Sequence, residues 1–148
     1  MTQYTLFGRG TGLRVSSMIL GTGMLGNVGG NGAAPEDVPA ILRGYAKAGG
    51  NFIDTSDAYQ QGQSEIAIGD FVAANRDDFV IASEYSRGSQ PHLGIAARGA
   101  HRKAMIQSVE PSLKRLKTDR IDLYLNHMDD GATPVEEIAR LRGSGPRR

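Results

Sequence analysis

Short apolar runs alternate with helical segments along most of the chain, and this alternation limits the possible folds more than any other feature. The runs have the length and aliphatic content of buried strands, and they lie at residues 17–20, 51–54, 79–83 and 121–125. Four strand–helix units in strict alternation predict parallel α/β architecture. Right-handed crossovers then leave an open doubly wound sheet or part of a (β/α)8 barrel.

A β-hairpin is predicted before these units. Residues 4–7 and 13–15 form strand-like segments around the glycine-rich turn at residues 8–12. We expect a single domain over residues 1–139, followed by an irregular basic tail at 140–148, because the glycines and the proline there break any helix.

Each predicted helix has a local start signal. The first begins near Pro35, whose fixed φ suits a first helical turn, and Ser64 is expected to cap the second. The third runs over residues 101–117, and Thr133 with Glu136 forms a capping box that opens the fourth. A core-facing stripe is predicted on the third helix, formed by Met105, Val109, Leu113 and Leu116.

Composition excludes several classes of function. A formal net charge of +1 gives no electrostatic argument for binding nucleic acid or an anionic membrane. The absence of cysteine excludes disulfides and thiolate metal sites, and no histidine–carboxylate spacing resembles a metal site. No apolar run is long enough to span a bilayer, and the first residues do not resemble a secretory signal. We therefore expect a soluble, cytoplasmic protein.

A glycine motif raises a dinucleotide-binding alternative. Gly21, Gly23 and Gly26 match the spacing of the Rossmann fingerprint after a predicted strand. The helix that should follow at once starts only near Pro35, beyond a long loop. The helix dipole would then lie too far from the phosphates of a bound dinucleotide, so the pattern disfavours the Rossmann alternative.

Polar residues follow successive predicted strands. Asp54 ends the second strand, Glu84 follows the third, and His127 follows the fourth, with Tyr59 in the loop after Asp54. Because the carboxyl ends of parallel strands meet at one edge, these side chains can converge on one pocket. Taken singly, each is more often a turn residue or a hydrogen-bonded strand-end residue. Their joint placement favours an active site.

Two long segments resemble the aldo-keto reductase family. One is Gly-Asn-Phe-Ile-Asp-Thr-Ser-Asp-Ala-Tyr at residues 50–59, with the Ser64-Glu65 pair and Gly69 following, and the other lies at residues 112–127. The resemblance implies the N-terminal half of a (β/α)8 TIM-type barrel with four β/α units. It also implies an enzyme that reduces a small-molecule carbonyl with NADPH.

The resemblance also implies roles for single residues. Tyr59 takes the position of the general acid, and Asp54 and His127 take the positions that assist it. Contacts to the nicotinamide-ribose end of NADP(H) are implied for Gly21, Thr22 and Asp54. Glu84 stands where the family has a lysine that acidifies the tyrosine, so two carboxylates are brought together and one should hold its proton more tightly.

Three functional hypotheses therefore stay open. The first is an NADP(H)-dependent carbonyl or alcohol oxidoreductase. The second is a non-redox acid–base enzyme, such as an isomerase, dehydratase or cyclase, that uses Asp54, Glu84, Tyr59 and His127. The third is a non-catalytic remnant, produced by a truncated or out-of-frame reading of a longer gene.

A half barrel would leave two sheet edges unpaired. The edges would be the predicted strands at residues 17–20 and 121–125, whose backbone groups would lack partners on one side. Two copies could pair edge to edge and close eight strands around a two-fold axis. We therefore expect a homodimer or a poorly soluble monomer.

Overall fold

The computed structural model describes residues 2–87 and 94–139. Its strands are β1 Tyr4–Leu6, β2 Arg14–Ser16, β3 Leu20–Gly21, β4 Phe52–Asp54, β5 Val80–Tyr85 and β6 Leu123–Asn126. Its α-helices are α1 Val38–Lys47, α2 Gln63–Val72, α3 Arg102–Leu116 and α4 Val135–Ala139. The predicted basic tail at 140–148 lies outside the described residues.

The strands form two separate sheets. Strands β1 and β2 pair antiparallel as the predicted hairpin. Strands β3, β4, β5 and β6 pair in parallel and in chain order, with helices as crossovers. The predicted fold class is confirmed: the chain is an α/β structure that corresponds to half of a (β/α)8 barrel. Among the helices of the described residues, none has the length and hydrophobicity needed to cross a bilayer.

Alternation along the strands divides the core into two layers. Ile53 of β4 points toward the helices, and its neighbour Phe52 points to the opposite face. The layer between sheet and helices is formed by Ile53, Ile68, Val72, Ile81 and Leu116. The other face is covered at the start of β4 by the hairpin, where the Phe7 ring meets the Phe52 ring edge-on at 5.6 Å. The carboxyl ends of the strands stay uncovered by the hairpin.

The first parallel strand is shorter than predicted. Ser17 donates its backbone N–H to the Gln3 carbonyl, so the chain still belongs to the hairpin there. Met18 and Ile19 are 74% and 53% exposed, and the strand begins only at Leu20. The apolar character of residues 17–19 therefore marks an exposed segment beside β3, and the prediction of a buried strand over residues 17–20 is wrong for its first three positions.

Two of the helix starts also differ from the sequence prediction. Helix α1 begins at Val38, because a turn closed on the Ala34 carbonyl occupies the residues around Pro35. Thr133 donates its hydroxyl to Asp130 and does not cap α4, so the predicted capping box is absent. In both cases the preceding loop makes the hydrogen bonds that the pattern assigned to the helix.

Ser64 has a different role from the predicted cap. It lies inside α2, whose N-cap position is Gly62. Its buried hydroxyl contacts the carbonyl oxygens of Thr22, at 2.9 Å, and Leu25, at 2.8 Å. Ser64 therefore ties the loop after β3 to the start of α2.

Helix α3 buries a face that coincides with the predicted stripe only at Leu116. Ala104, Ser112 and Leu116 are buried, whereas the predicted stripe residues Met105, Val109 and Leu113 are only partly covered. The helix passes close to α2, where a Cβ on Gly69 would lie 2.5 Å from the Arg115 carbonyl oxygen. Such an approach leaves no room for a side chain at position 69, which explains the glycine there.

The helix–sheet layer should carry much of the stability. Ile81 of β5 is fully buried against the helices, so we expect Ile81→Ala to lower the free energy of unfolding by about 3 kcal/mol. Ile66 on α2 is 44% exposed, and Ile66→Ala should cost under about 1 kcal/mol. Urea denaturation followed by circular dichroism measures both. Equal losses for the two variants would contradict this description of the core.

Candidate active site

The four predicted site residues meet at the uncovered carboxyl ends of the strands. Asp54 is the last residue of β4, Glu84 lies near the end of β5, and Tyr59 opens the short turn Tyr59–Gly62 after β4. His127 follows β6, and its backbone N–H donates to the Tyr85 carbonyl at 2.9 Å, which extends the ladder by one residue. Glu84 pairs in register with Leu125, two residues before His127, so Glu84 and His127 project from the same face of neighbouring strands.

Glu84 and His127 form the closest contact of the site. Glu84 Oε2 lies 2.5 Å from His127 Nδ1, and both side chains are largely covered. Ser56 Oγ lies 3.2 Å from the same ring nitrogen. A nucleophilic serine and an orienting acid must contact opposite nitrogens of the histidine, so this trio is not arranged as a catalytic triad.

Tyr59 lies beside this pair. Its ring meets the His127 ring edge-on, with centroids 5.9 Å apart. Burial raises the pKa of the Tyr59 hydroxyl, and the carboxylates of Glu84 and Asp54 raise it further, because a phenolate would be repelled by them. The positive charge of Arg87 acts in the opposite direction. Tyr59 therefore holds its proton more tightly than a free tyrosine.

Asp54 is fixed through its backbone. Its carbonyl accepts two hydrogen bonds from Thr22, one from the backbone N–H at 3.0 Å and one from Oγ1 at 2.8 Å. Burial raises the pKa of the Asp54 carboxyl, and so does the Glu84 charge, whereas His127 lowers it. Asp54 thus faces the same group of ionisable side chains as Tyr59.

The predicted cofactor residues differ in their exposure. Gly21 is exposed and pairs in register with Asp54, so its backbone borders the site. The Thr22 side chain is fully buried and uses its hydroxyl on Asp54. Its role in this structure is to hold the strand end. The contacts of Gly21, Thr22 and Asp54 with a cofactor stay predictions.

Sequence reasoning missed Arg87 and Ser56. Only lysine was considered as the cation near Tyr59. Arg87 lies three residues after Glu84, and its position just after the same strand was a signal that it could reach the site. Ser56 stands two residues after Asp54 and has no sequence feature that separates it from an ordinary loop serine. Among residues 2–87 and 94–139, no group of three histidine or carboxylate side chains is arranged to hold a metal ion.

A buried ion pair lies behind the site. Glu65 of α2 is fully buried and accepts hydrogen bonds from Ser83 Oγ and from Arg115 Nε, each at 2.7 Å. Ser83 is the neighbour of Glu84 on β5. The ion pair therefore connects α2, α3 and the strand that carries one of the site carboxylates.

Asp57 is a second buried carboxyl in this region. It is 2% exposed, and within the described part of the chain its Oδ1 has no hydrogen-bond partner. Burial and the charge of Glu65 raise its pKa to about 6, with a further contribution from Glu84 and an opposing one from Arg115. One arginine thus faces two carboxylates, and Asp57 is the one left without full compensation.

This imbalance predicts a pH-dependent stability. The pKa of Asp57 is higher in the folded chain than in the unfolded chain, so its contribution to stability is greatest at low pH and falls as the pH rises from about 4 to about 6. Asp57→Asn removes the buried charge and should raise the free energy of unfolding by about 2 kcal/mol at pH 7.

Thermal unfolding of both proteins between pH 4 and pH 8 is the measurement. The difference in melting temperature should shrink toward pH 4. Asp77→Asn, a change at a largely exposed carboxylate, serves as the control and should show no such trend. A rise in melting temperature for Asp57→Asn that is the same at every pH would contradict the raised pKa of Asp57.

Known proteins resemble this chain over most of its length. The profile of the aldo/keto reductase family matches residues 17–141. The aldo-keto reductase ausK of Emericella nidulans is 35% identical over 146 residues, which cover 92% of this chain and 37% of that protein. The norsolorinic acid reductase of Aspergillus flavus is 39% identical over 139 residues, which cover 87% of this chain and 36% of that protein.

A solved structure shows the same fold. The holo form of an aldo-keto reductase from Bacillus halodurans superposes with a TM-score of 0.80 at 27% identity, over 95% of this chain and 45% of that one. The chain thus spans less than half the length of the relatives that it matches. The matched part contains all four strand ends at which the candidate site is built.

Proposed function

The chain belongs to the aldo/keto reductase family, and on this premise we propose that it carries the acid–base residues of an NADP(H)-dependent carbonyl oxidoreductase. The observation that carries the proposal is the meeting of Tyr59, His127 and Asp54 at the carboxyl end of one parallel sheet. Active sites of barrel enzymes are built at that end.

Tyr59 acts as the general acid in this proposal. The bound cofactor supplies the hydride that adds to the carbonyl carbon, and the Tyr59 hydroxyl supplies the proton that the carbonyl oxygen gains. His127, whose ring lies against Tyr59, orients the carbonyl oxygen toward the hydroxyl. In the reverse direction the same hydroxyl, once deprotonated, accepts the proton of an alcohol.

The described residues fit one end of the cofactor. Gly21 presents exposed backbone at the rim of the site and Asp54 presents a partly covered carboxyl beside it, so these two residues would face the nicotinamide and its ribose. The Thr22 hydroxyl is used within the fold, so Thr22 would contribute through its position beneath Asp54. Binding of the phosphates is assigned to none of these residues.

Glu84 makes proton donation harder. It raises the pKa of Tyr59, whereas a cation at that position would lower it. Arg87 supplies part of the missing positive charge. We therefore propose that the reaction of this chain is slow as a reduction and that Glu84 is the residue that limits it.

An aromatic carbonyl compound is the proposed substrate class. The A. flavus relative is named for norsolorinic acid, and a Saccharomyces cerevisiae relative with 36% identity is named as an aryl-alcohol dehydrogenase. Leu125 and Met128, which flank His127, are 45% and 52% exposed. Such apolar surface beside the acid–base residues favours a flat, apolar substrate over a charged one.

The charge at position 84 provides the test of this proposal. Glu84→Lys should raise the NADPH-dependent reduction of an aryl aldehyde by about tenfold or more, because the ammonium group lowers the pKa of Tyr59. NADPH fluorescence titration measures binding, and NADPH oxidation measures the rate. Glu36→Lys makes the same charge change at an exposed position and should leave the rate unchanged. Absence of NADPH binding by every variant would contradict the proposed function.

A non-redox acid–base enzyme is the second candidate. The contact between Glu84 and His127 and the raised pKa of Asp54 favour it, because they place a proton acceptor near a carboxyl that holds its proton more tightly than a free aspartate. An isomerase, dehydratase or cyclase would lose its acceptor in Glu84→Lys. The same substitution therefore distinguishes the two candidates by the sign of its effect.

We propose in addition that the open sheet edges pair with a second copy of the chain. Within the described residues, β3 pairs only with β4, and β6 pairs only with β5. Ile19, beside β3, is an exposed apolar residue. Pairing β6 of each copy with β3 of the other closes eight parallel strands around a two-fold axis, which removes both edges.

Sedimentation equilibrium tests this pairing. The wild-type chain should show a mass near twice 15.8 kDa, and Ile19→Lys should shift it toward the monomer because a charge would be buried at the edge. Ile95→Lys is the matched control, since Ile95 is 92% exposed and belongs to the turn before α3 and to neither edge strand. A monomeric wild-type chain at all concentrations would contradict the homodimer.

A further inference from the structure

The turn that carries Tyr59 has an unusual backbone. Gln60 has φ 49° and ψ 37°, Gln61 has φ 54° and ψ 38°, and Gly62 has φ 88°. All three residues are therefore left-handed, and two of them have a Cβ, for which this conformation is disfavoured. Consecutive left-handed residues without glycine persist only where neighbouring contacts hold them.

The Gln60 side chain makes such contacts. Its Nε2 donates to the Gly23 carbonyl at 3.0 Å, and its Oε1 accepts from the Val28 N–H at 2.9 Å. One side-chain amide thus bridges two backbone groups of the loop between β3 and α1. Gln63 adds a weaker contact, since its Oε1 accepts from the Asn27 N–H at 3.3 Å.

The loop between β3 and α1 packs closely against the side chains of Gln60 and Gln63. A Cβ on Gly26 would lie 2.9 Å from Gln60 Cβ and 2.8 Å from Gln63 Oε1, so no larger residue fits there. A Cβ on Gly23 would lie at ordinary van der Waals distance, 3.9 Å, from the Tyr59 ring, so this part of the loop lies beside the ring. The same ring meets the His127 ring edge-on, with centroids 5.9 Å apart.

We infer that Gln60 is a positioning residue, which fixes Tyr59 between the glycine-rich loop at residues 23–32 and His127. It does not touch the reacting atoms in this role. The left-handed backbone at Gln60 turns its amide toward the loop, and the two hydrogen bonds keep the turn in that conformation. The importance of the position of Tyr59 for catalysis rests on the proposed function, whereas the bridge itself does not.

Adjacent glutamines offer a matched pair of variants. Gln60→Gly tolerates the left-handed backbone but removes the amide bridge. Gln61→Gly relieves the same backbone conformation at an exposed residue whose side chain has no hydrogen-bond partner among residues 2–87 and 94–139. Any difference between the two variants therefore reports the bridge and not the backbone strain.

Hydrogen exchange of residues 22–33, measured by mass spectrometry, is the first readout. In Gln60→Gly this segment should exchange about tenfold faster, and in Gln61→Gly it should stay within about twofold of the wild type. The second readout is the NMR signal of the Tyr59 ring, assigned with Tyr59→Phe, which should shift only in Gln60→Gly. Neither readout needs cofactor binding or turnover, so a failure of the proposed function leaves the test intact.

Gln60→Glu keeps the inference testable if Gln60→Gly does not fold. It retains the acceptor for Val28 and loses the donor to Gly23, so exchange should be faster than in the wild type only on the Gly23 side of the loop. If NADPH-dependent turnover is detected, Gln60→Gly should lower kcat with little change in KM. Equal exchange and equal Tyr59 signals in Gln60→Gly and Gln61→Gly would overturn the inference.

Discussion

The buried ion pair of Glu65 with Arg115 is the interaction on which the rest of the structure depends. A carboxylate that is fully buried would be strongly destabilising without partners, and both of its oxygens are used, one by Arg115 and one by Ser83. These partners lie on α3 and on β5. A single charged group therefore aligns two helices with the strand that carries Glu84. The position of the site at the strand ends depends on that alignment.

Close approach around this ion pair explains features that otherwise look unrelated. Arg115 passes so near to α2 that a Cβ on Gly62 would lie 2.8 Å from its Cδ, and Gly69 admits the backbone of α3 in the same way. Gly62 also ends the left-handed turn that begins after Tyr59. The packing of α2 against α3 and the glycine at the end of this turn thus depend on the same contacts.

The chemistry of the site is governed by its balance of charge. Asp54 and Glu84 bring negative charge to Tyr59, and Arg87 opposes it, so the net effect is a tyrosine that retains its proton. Asp57 adds a further buried carboxyl behind the strands. A family scaffold with this balance is poorly suited to fast proton donation by the phenol, and it brings proton-accepting carboxylates to the same place.

The sequence by itself determined the alternation of strands and helices, the hairpin and the strand-end positions of Asp54, Glu84 and His127. These depend on local periodicity and on the meeting of parallel strand ends, which any such sheet must show. Only the tertiary structure decided that Ser64 anchors a loop, that Arg87 faces Tyr59, and that Gln60 bridges to the loop after β3. Each of those roles depends on a contact between segments that are far apart in the chain, or on the direction in which one side chain points. The local spacing of residues determines neither of these.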